Sequence, residues 1–300
     1  MELRILQYFL AVAREQSISA AAESLHLSQP TLSIQLKALE EELGKQLLIR
    51  GTKGSRKVLL TDEGMILRKR AEEILTLVQK AKSEVQMTDA SIAGDVYIGA
   101  GETDIIRYFA RAAKGMKRSC PDIRYHISSG NAQFVTEQLD KGLIDFGLMY
   151  GPVDRTKYEA LTLPIGDRFG VLMRRDDPLA QKEWISPEEL RDKPLILSAQ
   201  DRSEGWTVSS QIRQDVSRLN VAATYNLIFN ASLMVEEGLG YAVCLDKLIN
   251  TSGDSQLCFL PLRPEIVITP SIVWKRYQVF SKASERFLQE LTSVMDLPQK

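Results

Sequence analysis

The sequence contains few of the residues on which metal centres and disulfide frameworks depend. It has three cysteines in 300 residues, and Cys120, Cys244 and Cys258 lie far apart without a CxxC pair. This spacing argues against a zinc site or a disulfide scaffold and fits a reducing environment. No apolar run approaches the roughly 18 uninterrupted positions that a membrane span requires. We therefore expect a cytoplasmic protein with no membrane partner, no metal and no other cofactor.

The sequence also has little of what catalysis commonly uses. Its only histidines are His26 and His126, so general-base or metal chemistry has few candidates. GxSxG, HExxH and P-loop motifs are missing, and the stretch GAGETD at 99–104 lacks the third glycine of a dinucleotide fingerprint. An enzyme is therefore the weaker interpretation, although an α/β enzyme stays open as an alternative.

The net charge of −1 provides no general basic surface for nucleic acid, but the basic residues are unevenly distributed. The stretch from Leu43 to Leu60 contains no acidic residue. Its basic residues are Lys45, Arg50, Lys53, Arg56 and Lys57. A local positive patch of this kind can bind DNA phosphates in a protein that is almost neutral.

The first sixty residues have the pattern of three short helices. Apolar residues at steps of three and four lie on one face of a first helix. These residues are Leu3, Leu6, Phe9, Leu10 and Ala13. Ser17 can cap a second helix over 20–25, and Ser28 can cap a third whose first turn contains Pro30. Leu32, Leu36, Leu39 and Leu43 then form a core stripe that ends at Gly44.

The opposite face of the third helix is typical of a helix that enters the major groove. Ile34 lies roughly 200° around the helix from Leu32, where it can contact a thymine methyl rather than a core. Gln29, Ser33 and Gln35 offer hydrogen bonds to base edges, and Lys37 offers a positive charge to phosphate. Two short apolar strands follow, over 47–50 and 56–60, around the glycine turn 51–55. We interpret this hairpin as a wing that carries Lys53 and Arg56 to the DNA backbone.

The stretch AAAESLHLSQPTLSIQLKALEEELGKQLLIR, followed by LLTDEG, resembles the DNA-binding signature of the LysR-type regulators. The resemblance extends over 1–64 and implies a winged helix-turn-helix. It also implies which side chains lie near DNA: Gln29, Pro30, Thr31, Ser33 and Lys37 on the helix, and Arg50 and Arg56 near the backbone. Many members of this family have arginine where this chain has Ile34, so the resemblance supplies no base contact for that position.

A long helix is predicted over 62–88, capped by Thr61. Its apolar residues step by four and three in a heptad seam, formed by Leu67, Ala71, Ile74, Val78, Ala81 and Val85. A helix roughly 40 Å long is too long to bury one narrow stripe against a small domain, so we expect a partner helix from a second copy. The alternative is that the stripe packs within its own chain. The family resemblance implies a homodimer and, commonly, a dimer of dimers.

Beyond residue 90 the pattern changes to alternating strands and helices, which predicts α/β lobes with parallel sheets. In the first lobe we predict strands at 95–100, 123–128 and 143–149 and helices at 105–116 and 131–141. In the second we predict strands at 169–173, 195–198, 224–228 and 241–245 and helices at 206–219 and 231–237. A strand at 266–274 and a helix from 279 return to the first lobe. The crossings near Pro164 and Pro264 would then form a hinge.

The stretches GNAQFVTEQLDKGLIDFGLM and MVEEGLGYAVCL resemble the periplasmic-binding-protein-like effector domain of the same family. The predicted fold class is therefore α/β with a helical N-terminus: a winged helix-turn-helix, a linker helix and a two-lobed effector domain. The predicted boundaries are 1–60 for the DNA-binding domain, 61–89 for the linker and 90–300 for the effector domain. Within the last, lobe 1 comprises about 91–162 plus 267–300, and lobe 2 about 163–266.

Ligands of open α/β sheets bind where strands end and helices begin. Thr103, Ser129 and Asn131 occupy such turns in the first lobe, and Arg202 lies in one in the second. We expect these residues to border the effector site, with Arg202 placed to pair with an effector carboxylate. The alternatives are that Thr103, Ser129 and Asn131 only cap helices, and that Arg202 is only solvated. Asn230 is expected to cap its own helix and to border the cleft.

These features together predict a regulator that binds an interrupted palindrome in double-stranded DNA and responds to a small molecule between its lobes. A DNA-binding architectural protein that senses nothing is the main alternative. Footprinting with and without metabolites separates the two, because only the first responds to a ligand.

Overall fold

The computed structural model describes residues 1–51, 57–85, 92–199 and 219–296. Its internal contacts divide the chain into two compact units, Met1–Gln86 and Met87–Lys300. The finer division into 1–60, 61–89 and 90–300 stays a prediction.

The first unit is a helix-turn-helix followed by a hairpin and a long helix. Its helices are α1 (Leu3–Glu15), α2 (Ile18–Ser24), α3 (Gln29–Leu43) and α4 (Asp62–Val85). Strands β1 (Leu48–Arg50) and β2 (Val58–Leu60) pair antiparallel, with Ile49 opposite Leu59. The predicted order of elements is confirmed, and α2 begins two residues earlier than expected because Ser17 caps it directly.

The apolar stripe of α3 forms the centre of this unit's core. Leu32, Leu36 and Leu39 are 0%, 1% and 0% exposed. Leu43 is 41% exposed, so the prediction that it belongs to the core is wrong. The helix ends at this residue, because Gly44 turns the backbone into the left-handed region with a φ of +63°.

The second unit contains α/β elements throughout. Its strands are β3 (Gly94–Ala100), β4 (Ile123–Ser129), β5 (Phe146–Tyr150), β6 (Tyr158–Thr162), β7 (Asp167–Arg174), β8 (Leu195–Ser198), β9 (Val221–Tyr225), β10 (Tyr241–Leu245), β11 (Leu257–Pro261), β12 (Val267–Ile268) and β13 (Pro270–Lys275). Its described α-helices are α5 (Ile106–Met116), α6 (Ala132–Asp140), α7 (Ile228–Glu236) and α8 (Lys282–Asp296).

These strands form two sheets, one in each lobe. The first has the order β4-β3-β5-β13-β6, and the second the order β11-β7-β10-β8-β9 with β12 paired to β7. The predicted parallel pairing is confirmed for β3 with β4 and β5, and for β8 with β9 and β10. Both sheets are mixed, however, because β13 is antiparallel to β5 and β7 is antiparallel to β10. Strands β6 and β11 were not predicted.

Other sequence expectations for the second unit need correction. The strand predicted over 266–274 is divided, because β12 pairs with the second sheet and β13 with the first. The chain therefore crosses between sheets after Thr162 and again after Ile268, later than the expected Pro264. The strand predicted over 224–228 ends at Tyr225, and Ile228 begins a helix instead. The helix predicted over 206–219 lies outside the described residues, apart from its last position.

Cys120, Cys244 and Cys258 are free cysteines that form no disulfide with one another. Cys120 and Cys244 are buried, and Cys258 is partly buried. Burial raises the pKa of the Cys244 thiol to about 12, which keeps it protonated and unreactive at neutral pH.

Candidate nucleic-acid interface and effector cleft

The outward face of α3 is polar, exposed and fixed from behind by the leucine stripe. The Ser28 hydroxyl accepts a hydrogen bond from the Thr31 amide at 3.2 Å and lies 2.7 Å from the Thr31 hydroxyl, so the helix start is well capped. Ile34 is 66% exposed, which confirms that it has no core to enter. Gln29 lies 3.5 Å from the Ser33 hydroxyl on the same face. These side chains are held on a rigid helix and remain available to a partner.

The remaining predicted DNA contacts are distributed between α3, β1 and the hairpin turn. Lys37 is exposed and lies 3.5 Å from Glu41, one turn further along α3. Arg50 ends β1, with its guanidinium 3.4 Å from a Glu40 carboxylate oxygen. Lys53 and Arg56 lie outside the described residues. The Lys37–Glu41 pair is exposed and therefore weak, so Lys37 can exchange it for a phosphate contact. The Arg50 side chain is also exposed, although its partner Glu40 is largely buried.

Glu40 joins the hairpin to α3, a contact that no sequence pattern indicated. Its Oε1 accepts hydrogen bonds from the backbone amides of Leu47 and Leu48 at 2.8 and 3.0 Å. Both of those residues are buried. Unpaired buried amides are costly, so this one carboxylate fixes where β1 starts relative to α3.

The start of α4 is fixed against the same hairpin. The Thr61 hydroxyl accepts a bond from the Gly64 amide at 3.0 Å and donates to the Gln46 carbonyl at 2.7 Å, which confirms the predicted cap. A Cβ at Gly64 would lie 2.2 Å from the Leu47 carbonyl oxygen, so only glycine permits this approach. The direction of α4 is therefore determined by the winged domain.

The predicted seam of α4 does not form one uniform exposed stripe. Ala71 is fully buried, and Leu67 packs against the core of its own unit, where α1 and α4 make extensive contact. The alternative of packing within the chain is therefore correct for Ala71 and holds in part for Leu67, which keeps some exposed surface. Ile74 and Val78 are half-buried and Ala81 is exposed, as is Val85 at 84%. The sequence did not predict the exposure of Ile66 and Leu77 on a neighbouring face.

In the second unit, the carboxyl ends of parallel strands meet at an edge of each sheet. In the first lobe, β3 leads into Gly101–Thr103, β4 into Ser129–Asn131 and β5 into Tyr150. In the second, β8, β9 and β10 end at Ser198, Tyr225 and Leu245. Parallel sheets bind ligands at this edge.

The structure brings Thr103 to a buried polar centre between the two lobes. Its hydroxyl donates to an oxygen of Asp167, Oδ2, at 2.5 Å and accepts from the Ile105 amide at 3.0 Å. The Tyr150 hydroxyl donates to the same Oδ2. Thr103 is only 5% exposed, so its hydroxyl is used within the chain rather than presented to the cleft. Its predicted contact with an effector stays a prediction.

The other predicted effector residues are placed differently from Thr103. Asn131 and Ser129 are exposed at the end of β4. The Asn131 side chain accepts from the Phe134 amide at 2.8 Å and caps α6, while its neighbouring turn remains open to solvent. Arg202 lies outside the described residues. Asn230 lies within α7 rather than at its start, so the prediction that it caps this helix is wrong.

A cavity of about 480 Å³ opens between the lobes, close to the carboxyl end of β10. Arg107 of α5 lines one side, and Asp246, Lys247 and Asn250 line the other. Glu102, which precedes Thr103, also reaches across: its carboxylate accepts from the backbone amide of Ile228 at 2.5 Å. The sequence had singled out neither Glu102 nor Asp167.

The burial of Asp167 makes its carboxyl less acidic than usual, and this shift has a testable consequence. Desolvation raises the pKa of its carboxyl above the ordinary value of 3.8, against the opposing hydrogen bonds from Thr103 and Tyr150. The pKa of Asp167 is higher in the folded state than in the unfolded state. The contribution of Asp167 to the free energy of unfolding is therefore fully present below the pKa of the unfolded state. It is lost as pH rises through the folded pKa.

Asp167→Asn should remove this pH dependence. Both hydroxyls bond a single oxygen, so an amide oxygen in that position can accept both. We expect the free energy of unfolding of the wild type, relative to Asp167→Asn, to fall as pH rises from about 4. Urea unfolding followed by fluorescence measures it, because the three tryptophans all lie in the second unit, at positions 184, 206 and 274. A difference that is constant or grows with pH would contradict the raised pKa.

Comparison with known families agrees with this geometry. Residues 3–65 match the family model of the bacterial regulatory helix-turn-helix protein, lysR family. Residues 89–296 match that of the LysR substrate binding domain. The chain belongs to the LysR family of transcriptional regulators. It is thus a DNA-binding regulator with an effector-binding domain, in a family of regulators rather than enzymes.

Other LysR-type proteins resemble it over nearly their whole length. A probable RuBisCO transcriptional regulator of Synechocystis is 29% identical over 97% of this chain and 84% of its own. BsdA of Bacillus subtilis is 27% identical over 96% of this chain and 99% of its own. The crystal structure of full-length CbnR with its target DNA has a TM-score of 0.76 at 20% identity, covering 98% of this chain and 100% of CbnR, and so shares its fold. Among the described helices of this LysR-family regulator, none has the length and apolar composition needed to cross a bilayer.

Proposed function

We propose that this regulator inserts α3 into the major groove and reads an operator through the outer face of that helix. Gln29, Pro30, Thr31, Ser33 and Ile34 lie nearest the base edges, and Lys37, Arg50, Lys53 and Arg56 neutralise phosphates. The observation that carries this proposal is the exposed face of a leucine-backed helix that includes Ile34, an apolar side chain without a core. Hydrogen-bonding and apolar contacts specify sequence, whereas the cations provide affinity.

We further propose that the regulator binds its operator as a homodimer or as a dimer of dimers, in the cytoplasm where the DNA is. Two copies of α3 related by a two-fold axis match an interrupted palindrome. The exposed part of the α4 seam, from Ile74 to Val85, supplies apolar surface for the partner helix. The wing-to-helix contacts of Glu40 and Thr61 fix the direction of α4 and hence the spacing of the two recognition helices.

We propose that a small-molecule effector binds between the two lobes of the second unit. The strand-end turns with Ser129, Asn131 and Arg202, together with Thr103 behind them, border the cleft, and Arg202 or Arg107 can pair with an acidic effector. The match to the substrate-binding family model over 89–296 supports a sensing role over a purely architectural one. Effector binding would shift the population of lobe arrangements and so alter the protein's DNA contacts.

The two proposed classes of DNA contact predict different effects on mutation. Ser33→Ala and Ile34→Ala should change base preference by about 1–3 kcal/mol at individual positions. Lys37→Ala and Arg50→Ala should weaken binding to all sequences and lower the slope of log K against log salt by about 1 each. Fluorescence anisotropy on variants of an operator selected from random DNA, between about 50 and 200 mM salt, measures both effects.

Lys117→Ala is the matched control, because it removes one exposed positive charge from the second unit. It should leave both the base preference and the salt slope unchanged. Equal losses on every sequence for all four variants of α3 and β1 would refute the proposed division between base and phosphate contacts.

A further inference from the structure

Helix α7 begins without a cap of its own. Its N-cap residue is Leu227, whose side chain makes no capping hydrogen bond. The helices α3 and α6 begin instead with Ser28 and Asn131, each of which accepts a bond from the first turn. The first backbone N–H groups of a helix need acceptors, and apolar N-cap residues are disfavoured for this reason. An acceptor from elsewhere must therefore satisfy the start of α7.

Glu102 of the other lobe supplies that acceptor. Its Oε2 accepts from the Ile228 amide at 2.5 Å, across 126 positions of sequence. The carboxylate also places a negative charge at the positive end of the helix, which strengthens the bond. Glu102 belongs to the turn after β3 in the first lobe, whereas α7 packs against β7, β9 and β10 of the second. The contact therefore joins the lobes through one side chain.

The neighbouring contact to Asp167 cannot play the same part. Thr103, Tyr150 and Asp167 form a centre that is largely buried at the point where the chain crosses between sheets. Glu102 is half-buried, so its carboxylate can leave α7 without exposing this buried centre. Arg107, five residues further along the chain, lines a cavity whose other walls come from the second lobe.

We propose that Glu102 is an interlobe latch, and that its release from α7 is the event by which the effector domain changes state. This inference rests on the proposed function, in which the lobes respond to an effector. In the latched state the carboxylate of the first lobe caps the helix of the second, and the distance between the lobes is fixed at the Glu102–Ile228 bond. In the released state the start of α7 is left to solvent.

Hydrogen–deuterium exchange of the full-length protein tests the latch without DNA or ligand. In Glu102→Ala, the Ile228 amide at the start of α7 should exchange about tenfold faster or more, because its acceptor is lost. Glu102→Gln keeps an acceptor but loses the charge and should give a smaller increase. Asp104→Asn is the matched control, since Asp104 lies on the same turn but pairs with Arg107 of its own lobe. The start of α6, capped by Asn131, should be unchanged in all variants.

Exchange at α7 in Glu102→Ala within about twofold of the wild type would overturn the latch. Deoxyribonuclease footprinting on an operator selected with the wild type tests the regulatory half. Glu102→Ala should change the protected region without any added ligand, and Asp104→Asn should not. An unchanged footprint alongside faster exchange would refute the regulatory role. If the wild type selects no operator, the proposed function fails, while the exchange measurement still decides whether the latch exists.

Discussion

A protein that carries both Ile74→Glu and Val78→Glu is expected to be monomeric and to bind a palindromic operator at least about 100-fold more weakly. Linked binding modules gain about 10²- to 10⁴-fold in affinity, and this gain is lost when the two copies separate. The variant should still bind non-specific duplex DNA at low salt, because α3 and the wing are unchanged. Sedimentation velocity measures the oligomeric state, and anisotropy measures operator affinity.

The prediction follows from the shape and surface of α4. Its 24 residues form a rod about 36 Å long. Its first seam residues, Leu67 and Ala71, are used by the core of the first unit, but Val85 remains 84% exposed at the other end. Carboxylates placed at Ile74 and Val78 would be buried in the apolar seam of a paired helix, where unpaired buried charges are strongly unfavourable.

Single substitutions provide a matched pair for this experiment. Val78→Glu should weaken the dimer, whereas Gln79→Glu puts the same charge on an exposed position about 100° further around the helix and should not. Circular dichroism checks that the double variant keeps its helices, because Ile74 is half-buried in the single chain. A fully dimeric, folded double variant would exclude α4 as the dimer contact.

Glu40→Ala is expected to destabilise the first unit by about 2–6 kcal/mol. It leaves the amides of Leu47 and Leu48 without their acceptor, at about 1–3 kcal/mol for each unsatisfied buried group. It also frees β1 from α3, so the wing loses its fixed position and operator affinity should fall more than tenfold. Urea unfolding followed by circular dichroism at 222 nm measures the stability, because the first unit is mainly helical and has no tryptophan.

Two controls separate this role from a simple loss of charge. Glu40→Gln retains one oxygen that can accept both amides, since both bonds go to Oε1, and should recover most of the stability. Glu41→Ala removes the same charge from the next position, where the carboxylate pairs only weakly with exposed Lys37. If Glu41→Ala were as destabilising as Glu40→Ala, the wing-fixing role would be wrong.

The parts of the structure that local geometry determines could be predicted from the sequence. Ser28, Pro30 and the leucine stripe lie within one helix, so their spacing alone determines the start of α3 and its exposed face. The seam of α4 shows the limit of this reasoning. Heptad spacing identifies Ala71 as apolar surface to be covered, but it cannot say whether α1 of the same chain or a second copy covers it.

The effector cleft depended on contacts that no local pattern reveals. Glu102 reaches Ile228 across 126 positions, and Thr103 reaches Asp167 across 64. The turn position of Thr103 predicted an effector contact, with helix capping as the alternative. In the structure its hydroxyl also donates a hydrogen bond to Asp167 of the other lobe. The end of β10 borders the interlobe cavity, but Thr103, Ser129 and Asn131 do not line it. Which groups face this cavity depends on how the two sheets are brought together.

Selection of bound duplexes from a random DNA library by the full-length protein tests the reading of DNA by α3 most directly. We expect enrichment of an interrupted palindrome, with half-site centres separated by one helical turn of about 10–10.5 base pairs or a multiple of it. Ser33→Ala should shift the enriched bases within each half-site. A library that remains random after repeated rounds, or a protein that retains no duplex at low ionic strength, would contradict the proposed recognition helix.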